Sequence, residues 1–299
     1  MNNSDTITPD PATVIRAAQA RHPRLYEDNR YVYPVLSRRS KGISVGINLN
    51  PDKVCNFDCI YCQVDRTVPP VYREVDLDLL EAEVRRVLAW AQEGTLYERP
   101  PFAGLPPPLR RVNDIAFSGD GEPTSYPQFR EAAERVVRVK EEMGLEGVKV
   151  VVITNATLFH RPRVRETLAF LDRHNGEIWA KLDAGTEAYY RLIERTTIPF
   201  DRVVRNLIEA ARVRPLVIQS LFMKVHGAGP DEAEIGAYCG VLQRILEAGG
   251  GLKLIQVYTV ARRPAEGYVM SLSDAEVDGI GDRVREAVPA PVEVYYGIG

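Results

Sequence analysis

The 299-residue chain carries 38 Lys and Arg against 41 Asp and Glu, a net charge of −3, with 45% hydrophobic and 26% charged residues. That is the balance of a globular protein, and it leaves no overall basic field for a polyanion, so nucleic acid is a possible partner that net charge does not support. Four cysteines, three of them bunched, do not make a disulfide framework. The start is not a signal peptide and no apolar run reaches about 18 residues, so a cytoplasmic protein with no membrane partner is expected.

Residues 1–40 are polar and punctuated by proline, and are expected to form an N-terminal extension to a single domain over 41–299. Within the extension, Asp10 as cap and Pro11 at the first helical position predict a short helix. "ISVGINLN" (43–50) then alternates and is rich in β-branched residues, which predicts a strand.

From there strands and helices alternate. Helical spacing is read over 76–94, 126–144, 161–174, 200–213, 231–250 and 273–288, the last capped by Ser273. Apolar strands are read over 112–119, 147–155, 177–184, 215–223, 252–260 and 291–296. This alternation predicts an α/β fold, a partial (β/α)6 TIM-like barrel with parallel strands inside and helices outside. The insert at 94–111 is rich in proline and is expected to be a surface loop or flap.

"CNFDCIYCQ" (55–63) follows the first of these strands, at the end of a parallel sheet where ligands bind. Cys55, Cys59 and Cys62 are spaced to converge on one centre, zinc or an iron–sulfur cluster. A structural zinc wants a fourth ligand, but the nearest histidine, His22, is far away in sequence and Cys239 sits within a helix among apolar residues. Three ligands on a four-iron cluster leave one iron open to a substrate or cofactor.

Cys-x3-Cys-x2-Cys with Tyr61 before the last cysteine resembles the signature of the radical S-adenosylmethionine enzymes. The resemblance implies one 4Fe–4S cluster on Cys55, Cys59 and Cys62, and S-adenosylmethionine bound at the open iron. It also implies an external one-electron donor of flavodoxin or ferredoxin type. Reductive cleavage of the bound cofactor would give a 5′-deoxyadenosyl radical that abstracts hydrogen from a substrate the sequence does not name.

Later strand ends carry the supporting positions that this resemblance implies. "SGDGEPT" (118–124) is similar to the family's Gly-Gly-Glu-Pro turn, with Asp120 interrupting it, and marks Gly119, Gly121, Glu122 and Pro123 as cofactor contacts. Asn155 ends the next strand as a hydrogen-bonding candidate. In "KLDAGT" (181–186), Lys181 and Asp183 share a face. Asp183 is a candidate acceptor for the cofactor ribose. Lys181 is the candidate catalytic residue, able to pair with the cofactor carboxylate, to bind an anionic substrate or to form a Schiff base; an internal pair with Asp183 is the structural alternative. Tyr61, Gln219 and Val257 complete the cofactor set, the last against adenine, and Arg262 and Arg263 follow the sixth strand as a possible anion clamp.

The wider stretch 31–265 resembles an iron–sulfur oxidoreductase subgroup related to the wyosine-base tRNA synthase, but no cysteine precedes Cys55 to hold a second cluster. The alternatives are a non-catalytic iron–sulfur carrier or redox sensor, and a tRNA-base-modifying enzyme.

Overall fold

The computed structural model describes residues 10–21 and 24–298. The first helix, α1 (Pro11–Ala20), starts as expected: the Asp10 carboxylate accepts from the Thr13 N–H. Then come β1 (Val32–Ser37), β2 (Gly42–Ile47), α2 (Leu77–Glu93), β3 (Val112–Phe117), α3 (Phe129–Glu142), β4 (Lys149–Thr154) and α4 (Pro162–Asp172). The second half runs β5 (Gly176–Lys181), α5 (Glu187–Glu194), α6 (Phe200–Val213), β6 (Leu216–Phe222), β7 (Lys224–Val225), α7 (Glu232–Glu247), β8 (Leu252–Thr259), β9 (Val269–Met270), α8 (Asp274–Ala287) and β10 (Val292–Tyr295).

Eight strands form one curled sheet in the order β1-β2-β3-β4-β5-β6-β8-β10. Six of them, β2, β3, β4, β5, β6 and β8, are parallel and each is followed by helix, which is the expected partial barrel. β10 adds a further parallel strand beside β8, and β1 adds an antiparallel one beside β2. The boundary read at residue 40 falls in the β1–β2 turn, and β1 is paired with β2 over its whole length. β7 and β9 form a separate antiparallel pair.

Local chemistry fixes where the helices start and stop. Asp76 caps α2 by accepting from the N–H groups of Asp78 and Leu79, and Gly94 ends it at φ 87°. Ser273 and Glu276 form a reciprocal capping box on α8. α5 was not foreseen; Thr186 caps it by accepting from the Tyr189 N–H.

The sheet has two dissimilar faces. Ile43, Val45, Ile47, Ile115, Val150, Val152, Ile178, Ile218, Ile255 and Val257 belong to the large apolar core under the helices. The interior face holds only a small apolar cluster, Ala116, Val151, Trp179 and Val217. Further along the same face the residues turn polar: strand register sets Lys181 beside Gln219, and Gln219 beside Gln256. The insert at 94–111 departs from its expectation. Leu96, Phe102 and Leu105 are fully buried, and Phe102 packs against Tyr26, so the segment is part of the core and not a flap. Prolines break its regular structure without excluding it from the interior.

Candidate functional site

The cysteine loop leaves the carboxyl end of β2 and is braced from three sides. The N–H groups of Asp58 and Ile60 donate to the carbonyls of Glu194 and Ile193 at the end of α5, at 3.1 and 2.9 Å. The N–H of Ala265, beyond β8, donates to the Cys62 carbonyl at 2.7 Å. Asn56 exchanges hydrogen bonds with the end of β4, accepting from the Asn155 amide at 2.7 Å and donating to the Thr157 hydroxyl at 2.7 Å. Asn155 thus steadies the loop, a role its position in the sequence does not reveal.

The Gly119–Gly121 turn lies hard against this assembly. A Cβ on Gly119 would meet the Asn48 backbone at 2.9 Å, and one on Gly121 would overlap the Val54 carbonyl oxygen. Glycine is required at both points by close approach rather than by backbone angle. Asp120 between them takes a 3.2 Å ion pair from Arg24 and a 2.8 Å hydrogen bond from the Asn48 amide. Glu122 is buried, and its carboxylate is spoken for within the protein. Thr124 donates through its N–H (3.1 Å) and its hydroxyl (2.5 Å), Thr154 through its hydroxyl (2.6 Å) and Asn155 through its N–H (2.8 Å). The side chain ties the end of β3 to the end of β4. Pro123 opens the short 3-10 turn that follows.

A second buried cluster fills the mouth beside the loop. The Asp183 carboxylate accepts from the Leu221 N–H at 2.7 Å, pairs with the Lys181 ammonium at 2.9 Å and accepts from the Tyr61 hydroxyl. Lys181 also donates to the Tyr258 hydroxyl at 2.8 Å and lies over the Tyr61 ring at 4.9 Å. Burial disfavours its charge, but Asp183, Tyr258 and Glu194 outweigh burial and hold its pKa above the ordinary lysine value. As built, Lys181 is an ammonium suited to binding an anion. A Schiff-base role would require a neutral amine and first the loss of the Asp183 pair.

Glu194 is the residue sequence reasoning missed. The Cys59 thiol donates to its carboxylate at 2.6 Å, and the Tyr61 hydroxyl lies 3.1 Å from it. Burial, then the Asp183 charge, push its pKa up to about 8. The helix had a local signal, Thr186 as a cap and Tyr190, Ile193 and Glu194 on one buried face, but nothing near Glu194 in sequence points to Cys59.

The three cysteines are free. Burial raises the Cys55 thiol to about 11, and burial together with Glu194 also raises Cys59. Cys62 receives a 3.1 Å hydrogen bond from Arg66. Among the described residues no three His, Cys, Asp or Glu side chains are placed to hold one metal ion. A four-iron cluster takes one thiolate per iron, so its ligands need not meet at a point. Three free thiols on one braced loop, with no bridge between them, are a donor set that fits such a cluster once their protons leave.

Of the remaining predicted residues, Gln219 is buried on the interior face and donates to Gln256 at 2.8 Å. Val257 is a correction: strand parity turns Gln256 and Tyr258 inward, so Val257 packs under the helices and does not line the mouth. Cys239 is buried on α7 in the same helix-side core. His22 lies outside the described residues. Arg263 is exposed, whereas Arg262 turns back and donates to Gln63 at 2.7 Å.

No family model matches the chain. Among curated proteins it is 24% identical over 250 residues to a GTPase Obg from Brachyspira hyodysenteriae, covering 82% of this chain and 32% of that protein. It is 27% identical over 177 residues to a UPF0026 protein from Helicobacter pylori, covering 59% of this chain and 48% of that one. A UPF0026 protein from Methanocaldococcus jannaschii is 26% identical over 181 residues, 58% and 47% of the two chains. The chain therefore spans a third to a half of the length of these relatives. It contains no Gly-Lys pair, hence no P-loop of the nucleotide-binding type. Among solved structures, TYW1 with a lysine–pyruvate adduct bound superposes with a TM-score of 0.51 at 17% identity, over 92% of this chain and 81% of that one. That likeness shows a shared fold: a curled, mostly parallel sheet wrapped by helices.

Proposed function

We propose that the chain is a radical S-adenosylmethionine enzyme holding one 4Fe–4S cluster on Cys55, Cys59 and Cys62. The observation that carries this reading is the loop of three free, unbridged thiols at the carboxyl end of the first parallel strand, with a close-packed glycine turn against it. The fold shared with TYW1, a wyosine synthase, supports the same class. Held by Cys55, Cys59 and Cys62, such a cluster would supply the one electron needed to cleave S-adenosylmethionine to methionine and a 5′-deoxyadenosyl radical able to take hydrogen from a substrate.

The chain's own groups do the rest. The Gly119–Gly121 turn would present backbone carbonyls to the cofactor's ammonium, although two of them hold arginines in the free protein: Gly119 accepts from Arg24 at 3.2 Å and Asp120 from Arg66 at 3.4 Å. Glu122 and Asn155 act from behind, holding the turn and the cysteine loop in register with β4. Lys181, kept charged by Asp183, presents a cation at the mouth for a carboxylate of cofactor or substrate. Gln219 offers the interior face a polar group beneath it. Glu194 receives the Cys59 proton's hydrogen bond before that thiol ligates and, with its raised pKa, is the group best placed to hold that proton. An external flavodoxin- or ferredoxin-type protein would donate the electron.

The test is anaerobic. Protein reconstituted with iron and sulfide, reduced and given S-adenosylmethionine should release 5′-deoxyadenosine. Cys55→Ala, Cys59→Ala and Cys62→Ala should each abolish release, while Cys239→Ala retains iron content. A cluster that forms without any cleavage would instead favour the electron-carrier or redox-sensor reading.

A further inference from the structure

A cavity of about 500 Å3 opens beside the cysteine loop, against the segment that precedes β1. Four cations line it, Arg24, Arg30, Lys53 and Arg262, against two carboxylates, Asp65 and Asp120. Both carboxylates are already engaged, Asp120 with one of the four cations. Asp120 pairs with Arg24, and Asp65 accepts from the N–H and hydroxyl of Thr67.

The other three cations have no carboxylate within ion-pair distance among the described residues. Lys53 donates only to the carbonyls of Asp65 and Val68, at 2.7 and 2.8 Å. Arg30 lies over the Tyr72 ring at 4.8 Å. Arg262 spends its Nε on Gln63, the neighbour of Cys62, and among the described residues its two Nη groups have no hydrogen-bond partner. Arg262 is also crowded by its own kind: burial, then repulsion from Arg24, Arg39 and Arg38, lower its pKa to about 10. Cations gathered at one cavity with no ion-pair partner among the described residues, Lys53 and Arg262 half-buried and Arg30 exposed, mark a place where a ligand supplies the negative charge. A single carboxylate would leave most of that charge unmatched. A dianionic phosphate offers a fork acceptor for Arg262 and further oxygens for Lys53 and Arg30.

We propose that this cavity binds a phosphate group of the substrate, with Arg262 and Lys53 as direct contacts and Arg30 at the rim. The word substrate rests on the radical reading above; the phosphate site itself does not.

The test is binding of inorganic phosphate to the full chain, by calorimetry and thermal shift, against sodium chloride at matched ionic strength and against malonate. Phosphate should stabilise saturably, with a dissociation constant on the order of millimolar or tighter. Arg262→Gln and Lys53→Gln should each weaken binding about tenfold, as loss of a charge-assisted hydrogen bond implies. Arg263→Gln makes the same charge change at the exposed neighbouring position and should leave affinity unaltered. The proposal is overturned if phosphate acts no differently from chloride, if malonate binds as well, or if Arg263→Gln weakens binding as much as Arg262→Gln. The wild-type comparison stands even where a variant fails to fold. None of these readouts involves iron or S-adenosylmethionine, so loss of the radical activity and loss of the phosphate site are separately visible.

Discussion

Replacing Glu122 by glutamine separates two roles that the sequence merges. The wild-type carboxylate accepts four hydrogen bonds, two from backbone N–H groups and two from threonine hydroxyls. In glutamine one oxygen becomes an NH2. Whichever way the amide turns, either the Thr124 or the Asn155 N–H then faces another donor. The hydroxyls can rotate and accept, so one buried backbone donor is orphaned, at a cost of about 1–3 kcal/mol. The charge itself gives no net gain to offset: burial, opposed by those same hydrogen bonds, leaves the Glu122 pKa raised, so the neutral amide recovers part of the desolvation cost. The expected loss is therefore about 1–3 kcal/mol in urea unfolding of the metal-free protein, where no cofactor can contribute. A loss under about 0.5 kcal/mol would refute the clamp, because surface changes already reach that size. It would mean that the carboxylate is free to serve a ligand.

Gly121→Ala should displace the Val54 carbonyl and, with it, the start of the cysteine loop. We expect about 1–3 kcal/mol of destabilisation and reduced iron uptake on reconstitution, checked by unfolding midpoint and iron assay. Lys181→Met leaves Asp183 buried without its cation, and should cost about 3–5 kcal/mol in the same unfolding assay; a near-neutral result would show that the pair is not closed in solution. For pH, Glu177 is the informative group. Burial opposes its charge, but hydrogen bonds from Lys253 and Trp179 and the Lys149 charge outweigh it and lower its pKa. A lowered carboxyl pKa gives stability that is present above the unfolded value, about 4.3, and is lost as pH falls through the folded one. The stability gap between wild type and Glu177→Gln should therefore shrink on acidification below that value, and a gap that widens there would contradict the assignment.

The fold was legible because its signals are local. Caps at Asp10, Asp76 and Ser273, glycine at residue 94 and buried β-branched strands each declare themselves within a few residues. The cysteine loop was legible for the same reason. What surrounds it was not. Glu194 meets Cys59 across 135 positions and Asn155 meets Asn56 across 99, and no spacing rule links residues so far apart. Val257 failed on parity: in a strand buried on both faces, hydrophobicity does not say which side a residue takes, and only register does. The 94–111 insert failed because proline was read as exposure, when its neighbours Leu96, Phe102 and Leu105 carry the apolar area that anchors it.

The curled sheet begins at β1 and ends at β10, and no backbone ladder joins those two strands. What spans the gap is side chains: Arg38, in the β1–β2 turn, donates to the Tyr296 carbonyl, and Lys41 pairs with Glu293 at 3.1 Å. Both links are exposed to solvent, where an ion pair contributes about 0–1 kcal/mol and salt screens it. The wall of the barrel is thus stitched on one side and woven on all the others. Ionic strength acts on the stitching and leaves the backbone ladders alone, so this seam is where the wall of the sheet should loosen first as salt rises.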